Sequence, residues 1–389
     1  MPWKETCPVD QKTKLIADFL KDELSITQLH EIYGVSRKTI YKWIARYKHD
    51  GPAGLEDRSR APLNHSNATS KEIVSQIIDF RLKHASWGPK KIIVRLKEAF
   101  PHLDWPAPST VGSILEREGL VKGRKRKRHT PPYTEPFSEC EGPNDVWSID
   151  FKGQFKTGDG RYCYPLTLTD NFSRYLLLCQ GMLHPRLSET KYWLERAFKE
   201  YGLPQAIRSD NGTPFASVGL GGLSPLSVWL IKLWVRPERI EPGHPEQNGR
   251  HERMHRTLKA EATRPPGSNL KGQQKMLDHF KTEYNTERPN EALGQKTPAS
   301  IYLSSGRRLP RKVPEVEYES FMTVRHVKQN GCIKWNGEEV YVSGVLAGEP
   351  VGLKQLSEYE WAMRFSFHEL GVLDEQIGKV RKLKVDQKV

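Results

Sequence analysis

The chain has 389 residues, a length that suggests two to four domains rather than one. Its 37% hydrophobic content is enough to build cores, and 61 Lys and Arg against 47 Asp and Glu leave a formal net charge of +14, which points to a polyanionic partner or a solvated basic surface. No apolar stretch approaches the roughly 18 residues of a membrane helix, no signal-peptide core opens the chain, and the cysteines form no C-x-x-C pair, so no membrane span, zinc site or disulfide framework is indicated.

Three linker-like stretches divide the chain. Residues 51–68 are rich in Gly, Pro, Asn and Ser. Residues 122–143 open with a basic run and continue through Pro131, Pro132, Pro136 and Pro143; residues 303–314 repeat that signature. Like charge followed by prolines cannot bury a core and reads as an extended connector. The pieces left are 1–52, 66–121, 144–302 and 315–389.

In the first piece, Leu29, Ile32 and Tyr33 give a short apolar helix face, Gly34 permits a tight turn, and Ser36 is placed to cap a second helix. Ile40, Trp43, Ile44 and Tyr47 form that helix's buried stripe. This is a helix-turn-helix pattern whose second helix presents Arg37, Lys38, Tyr41 and Lys42 outward to DNA. A helical hairpin with a solvated basic face is the plainer alternative. His30 stands where the motif usually has a small residue.

In piece 66–121, Thr69 and Glu72 have capping-box spacing before Ile73, Ile77 and Phe80. Pro89 starts another helix, and a third is read as capped at Ser109 and stopped at Gly119. This piece reads as a second helix-turn-helix-like module, with a dimerisation module as the alternative. The run 122–128 holds six Lys or Arg in seven residues, among them Arg124, Lys125, Arg126, Lys127 and Arg128, and its position favours tracking a phosphate backbone over a solvated tail.

Piece 144–302 carries the chemistry. "NDVWSIDFKG" alternates, so Trp147, Ile149 and Phe151 share one strand face while Ser148 and Asp150 share the other. "GDG" at 158–160 can turn a hairpin into "YCYPLTLTD", and "RYLLLCQG" is a third strand. An amphipathic helix ended by Gly202 follows, then a short strand delivering Asp210 before Asn211-Gly212. These elements predict a mixed α/β sheet. An unpaired carboxylate at Asp150 is costly, and a divalent cation would offset that cost. The loop 243–249 opens a helix on which Glu252, His255, Arg256 and Lys259 share a face by spacing. The Glu suits a metal while Arg256 and Lys259 suit a phosphodiester backbone.

"WSIDFKG", "RSDNG" and "PEQNGRHERMHRTLK" together resemble the three catalytic signatures of the retroviral-integrase-core family, in its bacterial insertion-sequence transposase branch. "NTERPNEALGQKTPASIY" resembles the end of that core. The resemblance covers about 144–302 and implies an RNase H-like α/β core with the catalytic, metal-holding triad on Asp150, Asp210 and Glu252. Three features depart from the pattern. Asp210 and Glu252 are 42 positions apart, wider than in many relatives, with 216–227 treated as an inserted apolar loop and Glu246 as a competing third acid. Asp170, in "TDNFSR", reads as a turn residue. The retroviral zinc-binding module is absent, with helix-turn-helix modules in its place.

Piece 315–389 alternates in short segments with a hairpin signal at Asn336-Gly337, and is expected to be a small β-barrel, similar to the family's C-terminal modules. Its lysines and aromatics fit either a DNA grip or a plain barrel core. The expected whole is multidomain: all-α DNA-binding modules, a central α/β core and a C-terminal barrel.

The function expected is that of a transposase which nicks element ends, frees 3′-hydroxyls and joins them to target DNA, using two Mg²⁺ ions per site with Mn²⁺ tolerated. Double-stranded DNA is the expected partner, and the resemblance implies a dimer or tetramer on it. The expected location is the bacterial cytoplasm at the nucleoid, with Cys7, Cys140, Cys163, Cys179 and Cys332 reduced. A metal-dependent nuclease of RNase H type and an inactive DNA-binding regulator remain as alternatives.

Overall fold

A computed structural model describes residues 8–58, 68–121, 140–210, 212, 214–215, 222–240 and 249–381. The chain divides into two units, Met1–Thr69 and Ser70–Val389.

The first unit packs α1 (Pro8–Leu20), α2 (Ile26–Tyr33) and α3 (Arg37–Asp50) around Leu15, Ile16, Leu29, Ile40 and Ile44. Ser25 and Gln28 form a full capping box at the start of α2, Gly34 takes φ 62° at its end, and the Ser36 side chain accepts from Thr39 N–H to start α3. Trp43 lies partly buried beneath three cations, with Lys12 Nζ 4.1 Å from its ring centre. Two expectations change here. Ile32 is 61% exposed and leaves the apolar face to Leu29 and Tyr33. Residues Gly51–Leu55, read as linker, form a 3-10 helix that tucks Leu55 into the core. Gly54 is required there, since a Cβ would lie 2.4 Å from Arg46 O.

The second unit begins with α4 (Lys71–Lys83), α5 (Pro89–Ala99) and α6 (Pro108–Arg117). Ile77, Trp87, Ile92, Leu96, Val111 and Leu115 form their common core. The cap of α4 is Ser70, not Thr69, and α6 is entered from Ala107 with Pro108 in its first turn, which puts Ser109 inside the helix. This module is tied to the later part of the unit. His84 Nδ1 lies 2.9 Å from Glu283 Oε1, Arg95 donates to the Thr286 carbonyl at 2.9 Å, and Lys90 pairs with Glu291.

The central sheet consists of β1 (Val146–Phe151), β2 (Phe155–Lys156), β3 (Tyr162–Asp170), β4 (Leu176–Met182), β5 (Ala206–Ser209) and β6 (Arg236–Arg239). β3 pairs antiparallel with β1, β2 and β4, while β1, β5 and β6 run parallel in that order. The crossover from β4 to β5 is α7 (Leu187–Tyr201), which buries Leu194, Ala197 and Phe198 against Trp147, Ile149 and Ile207. Gly202 ends α7 at φ 81°, with Ser305 O only 2.6 Å from where a Cβ would sit. Then follow α8 (Pro225–Lys232), α9 (Gly249–Ala262) and α10 (Leu270–Thr286). The supposed inserted loop is a loop only in part. Ser224 caps α8, and Leu223 and Leu226 are buried; residues 216–221 lie outside the described residues.

At the end of the unit, β7 (Thr323–His326), β10 (Pro350–Gln355), β11 (Glu360–Phe365), β12 (His368–Asp374) and β13 (Lys379–Arg381) form one antiparallel sheet, ordered β13-β12-β11-β10-β7. β8 (Cys332–Trp335) and β9 (Glu338–Tyr341) make a separate hairpin. The expected closed barrel is therefore corrected to an open sheet and a hairpin. The edge strands are only three and four residues long and do not pair with each other among the described residues. Ile333, Trp335 and Val340 of the hairpin instead share a core with Val351, Leu353, Phe365 and Leu373 of the sheet. Val228 and Ile231 of α8 join that core, so the terminal sheet is packed onto the central fold.

No helix among the described residues is long and apolar enough to cross a membrane.

Candidate active site

Asp150 sits one residue before the end of β1, half-buried, on the face opposite Trp147 and Ile149. Parallel pairing sets Ile149 against Ser209, so Asp210, the first residue beyond β5, emerges beside Asp150. The Asp210 carboxylate accepts from Gly212 N–H at 3.1 Å, which holds it in the turn. Glu252 lies in the first turn of α9, exposed, with Met254, Leu258 and Ala262 anchoring the helix against Leu176 and Cys179 of β4 and Phe280 of α10.

The electrostatics show that the three acids share one region. Burial first, then the Asp210 carboxylate, and further off that of Glu252, push the Asp150 carboxyl up to about 7, while the Phe151 N–H and the Lys152 ammonium pull the other way. Burial and the nearby Lys259 ammonium hold the Lys152 amine below its usual value. A buried carboxylate under repulsion from two others fits a divalent cation, which relieves its desolvation and that repulsion, although among the described residues the three acids do not form a group with donor atoms within 4.8 Å of one another. The donor set of Asp150, Asp210 and Glu252 is made of hard oxygens, suited to Mg²⁺ or Mn²⁺.

Helix α9 departs from the expected face. Glu252, Arg256 and Lys259 are exposed as expected, but His255 turns inward and is buried with His251. The rings lie edge to face, 4.6 Å apart. Burial drives His251 down to about 3 and His255 down to about 2, so both imidazoles are neutral. His255 Nδ1 stands 3.8 Å from Asp150 Oδ2, and with a neutral ring this is not an ion pair. Between the rings lies Thr167, the β3 partner of Asp150. Its Oγ1 donates to the Asp150 carbonyl at 3.0 Å and lies 2.7 Å from Nε2 of each histidine. Sequence reasoning missed Lys152, Thr167 and His251. The histidines carried a readable signal, since 251, 254, 255, 258 and 262 continue a single helical stripe.

Asp170 lies at the opposite end of the sheet, paired with Trp147, and is fully buried. It accepts from Asn144 N–H and from the Ser173 N–H and hydroxyl, which is the work of a turn residue. Arg37, Lys38, Tyr41 and Lys42 are all exposed on α3. Glu246 and the basic residues 124–128 lie outside the described residues. Cys140, Cys163, Cys179 and Cys332 are unpaired.

Known proteins place this arrangement. Residues 141–245 and 233–298 each match an Integrase core domain family. Residues 11–62 match a Helix-turn-helix domain and 39–115 a Homeodomain-like domain. The chain is 27% identical over 251 residues to an insertion element IS407 protein of Burkholderia multivorans, covering 62% of this chain and 86% of that one. It is 24% identical to an insertion element IS476 protein of Xanthomonas euvesicatoria, covering 64% of this chain and 70% of that one. The chain thus carries integrase-core and helix-turn-helix domains, and its relatives are proteins of bacterial insertion elements. Among solved structures, the HTLV-2 integrase catalytic core domain in complex with magnesium is similar at 18% identity and TM-score 0.34, over 42% of this chain and all of that one, too loose a likeness to carry an argument. The integrase core spans the central sheet and α7 to α10, and the helix-turn-helix match falls on the first unit.

Proposed function

We propose that this integrase-core protein is a bacterial DNA transposase whose catalytic acids are Asp150, Asp210 and Glu252. What supports the proposal is the parallel pairing that brings Asp210, just beyond β5, beside Asp150 on β1, together with the repulsion that Asp210 and, more weakly, Glu252 on α9 exert on the buried Asp150 carboxyl. Two Mg²⁺ ions, or Mn²⁺ in their place, would supply activation of the attacking oxygen and stabilisation of the departing 3′-oxygen. The three carboxylates hold that charge in place. Arg256 and Lys259, one and two turns beyond Glu252, hold the phosphodiester backbone, and Lys152 adds positive charge beside Asp150. In the first reaction water attacks a phosphodiester at the element's end, the bond to the 3′-oxygen breaks and a 3′-hydroxyl is freed. In the second, that hydroxyl attacks a phosphorus of target DNA; the new 3′-oxygen–phosphorus bond forms as the target's own bond from phosphorus to its 3′-oxygen breaks, and a target 3′-hydroxyl leaves.

Recognition is assigned to the exposed side chains of α3, Arg37, Lys38, Tyr41 and Lys42, with Arg124 to Arg128 following the backbone between the DNA-reading modules and the core. The division into 1–52, 66–121, 122–143, 144–302 and 315–389 is part of this reading. So are assembly as a dimer or tetramer on DNA and residence in the cytoplasm at the nucleoid.

The test uses labelled DNA carrying the sequences that flank the gene, incubated with and without Mg²⁺ or Mn²⁺. Wild type is run beside Asp150→Asn, Glu252→Gln and Glu246→Gln. Metal-dependent nicking at one position and joined products, lost in the first two variants and kept in the third, are the expected result. Cleavage without joining would make it a nuclease. Specific binding without cleavage under any metal would make it a regulator.

A further inference from the structure

The buried imidazoles beside Asp150 are unused by the reading above, and hydrogen-bond counting fixes what they present. A threonine hydroxyl has one proton and two lone pairs. Thr167 spends its proton on the Asp150 carbonyl, so both 2.7 Å contacts to Nε2 of His251 and His255 are donated by the rings. Each ring therefore carries its proton on Nε2. At His251 the remaining Nδ1 accepts from Thr169 Oγ1 at 3.0 Å. His255 Nδ1 has no such partner among the described residues, and a proton there would need an acceptor within about 3.2 Å. What faces it is Asp150 Oδ2, at 3.8 Å.

Two atoms bearing lone pairs thus point into the same gap, too far apart for a hydrogen bond. A first-row divalent ion lies about 2.0–2.2 Å from an imidazole nitrogen or a carboxylate oxygen, so one ion fits between atoms roughly 4 Å apart or slightly less. Asp150, His251 and His255 also have donor atoms that lie within 4.8 Å of one another. Since both nitrogens of His251 are taken by threonines, His255 is the ring left with a free donor. We infer that His255 Nδ1 is a ligand of the cation held by Asp150, and that the site takes a first-row transition ion such as Mn²⁺ in preference to Mg²⁺. An imidazole nitrogen suits first-row transition ions, of which Mn²⁺ is the weakest binder, whereas oxygen ligands alone suit Mg²⁺ and Mn²⁺ alike. Thr167 sets the geometry, because it fixes the tautomer of His255 and the backbone of Asp150 together. This inference rests on the carboxylate site proposed above.

The experiment titrates Mn²⁺ alone into the purified full-length chain and records electron spin-echo modulation, which detects nitrogen bound to the metal. The chain is prepared with ordinary and with ¹⁵N-labelled histidine. A nitrogen coupling that changes with the label and disappears in His255→Asn is expected. Mn²⁺ affinity in that variant should fall by at least the roughly 10- to 100-fold that loss of even a supporting residue costs a metal site, with Mg²⁺ affinity less affected. The labelled wild type decides the matter even if the variant folds poorly. Bound Mn²⁺ without a histidine coupling, or a coupling that survives His255→Asn, overturns the inference. If that bound Mn²⁺ is still lost in Asp150→Asn, the carboxylate site stands and only the His255 ligand falls. No Mn²⁺ binding at all overturns both.

Discussion

Arg208 and Glu238 stand opposite one another on β5 and β6, Nη2 to Oε2 at 3.0 Å, with side chains only 9% and 10% exposed. This pair braces the strand that leads into Asp210. Removing Glu238 takes away one carboxylate partner of the nearly buried Arg208 guanidinium, so Glu238→Ala should cost on the order of 1–3 kcal/mol. The double variant Arg208→Met/Glu238→Leu should be much closer to wild type. Denaturant unfolding of the three proteins checks this, and a cost under about 1 kcal/mol for Glu238→Ala would mean that water reaches the pair.

Metal-free protein should lose stability as pH rises through neutrality. The Asp150 carboxyl moves from 3.8 to about 7 in the folded state, so between those values the fold keeps a proton that the unfolded chain has released. The contribution is fully present below 3.8 and lost as pH rises through about 7. Its size is on the order of 2–4 kcal/mol. Asp150→Asn should flatten the dependence and raise stability at pH 8 while abolishing strand joining. Thermal melts from pH 4 to 8 in chelator test it; equal slopes in the two proteins would contradict it.

On α3, Arg37→Ala and Lys38→Ala together should weaken binding to element-end DNA without moving the melting temperature, because both side chains are exposed. Each lost phosphate contact lowers the slope of log affinity against log salt by about 0.9. Fluorescence anisotropy between 50 and 200 mM salt would report the change. An unaltered slope would remove these residues from the backbone contacts.

Gly202→Ala combines two penalties at the end of α7. The residue has φ 81°, a region costing a side chain about 1–3 kcal/mol, and the new Cβ would meet Ser305 O at 2.6 Å. A loss of at least about 2 kcal/mol is expected, since neither penalty can be relaxed without moving backbone. An unchanged melting temperature would show that the segment around Ser305 is not held against α7.

Much of the core was legible because it obeys local rules. Alternation placed Asp150 opposite Trp147 and Ile149, and Gly34 and Ser36 have the chemistry that their turns demand. What was misread depends on partners distant in sequence. Counting by turns of helix groups His255 with Glu252 and Lys259, but it groups His255 equally well with His251 and Leu258. Only the presence of Thr167 across the sheet decides which way that ring faces. Glycines at 219, 221 and 222 masked the Ser224 cap and Pro225 that start α8. The last sheet shows the same limit, since alternation points to strands such as β7, β10 and β11 but says nothing about β13 or about whether two edges meet. α1 was not anticipated, although Leu15, Ile16 and Phe19 have helical spacing.

The parallel pairing of β1 and β5 works as a ruler. Asp150 and Asp210 are 60 positions apart along the chain, yet the gap between them is set by the spacing of neighbouring strands, about 4.8 Å. Residues can be gained or lost in the β3–β4 hairpin, or in α7 and its connections, without changing that gap. Glu252 has no such ruler: it arrives on a helix, by way of residues 241–248, and its distance from the two aspartates depends on how α9 seats on β4. Lineages of this core can therefore revise the long path between the aspartates freely, whereas any change beneath α9 retunes the third acid.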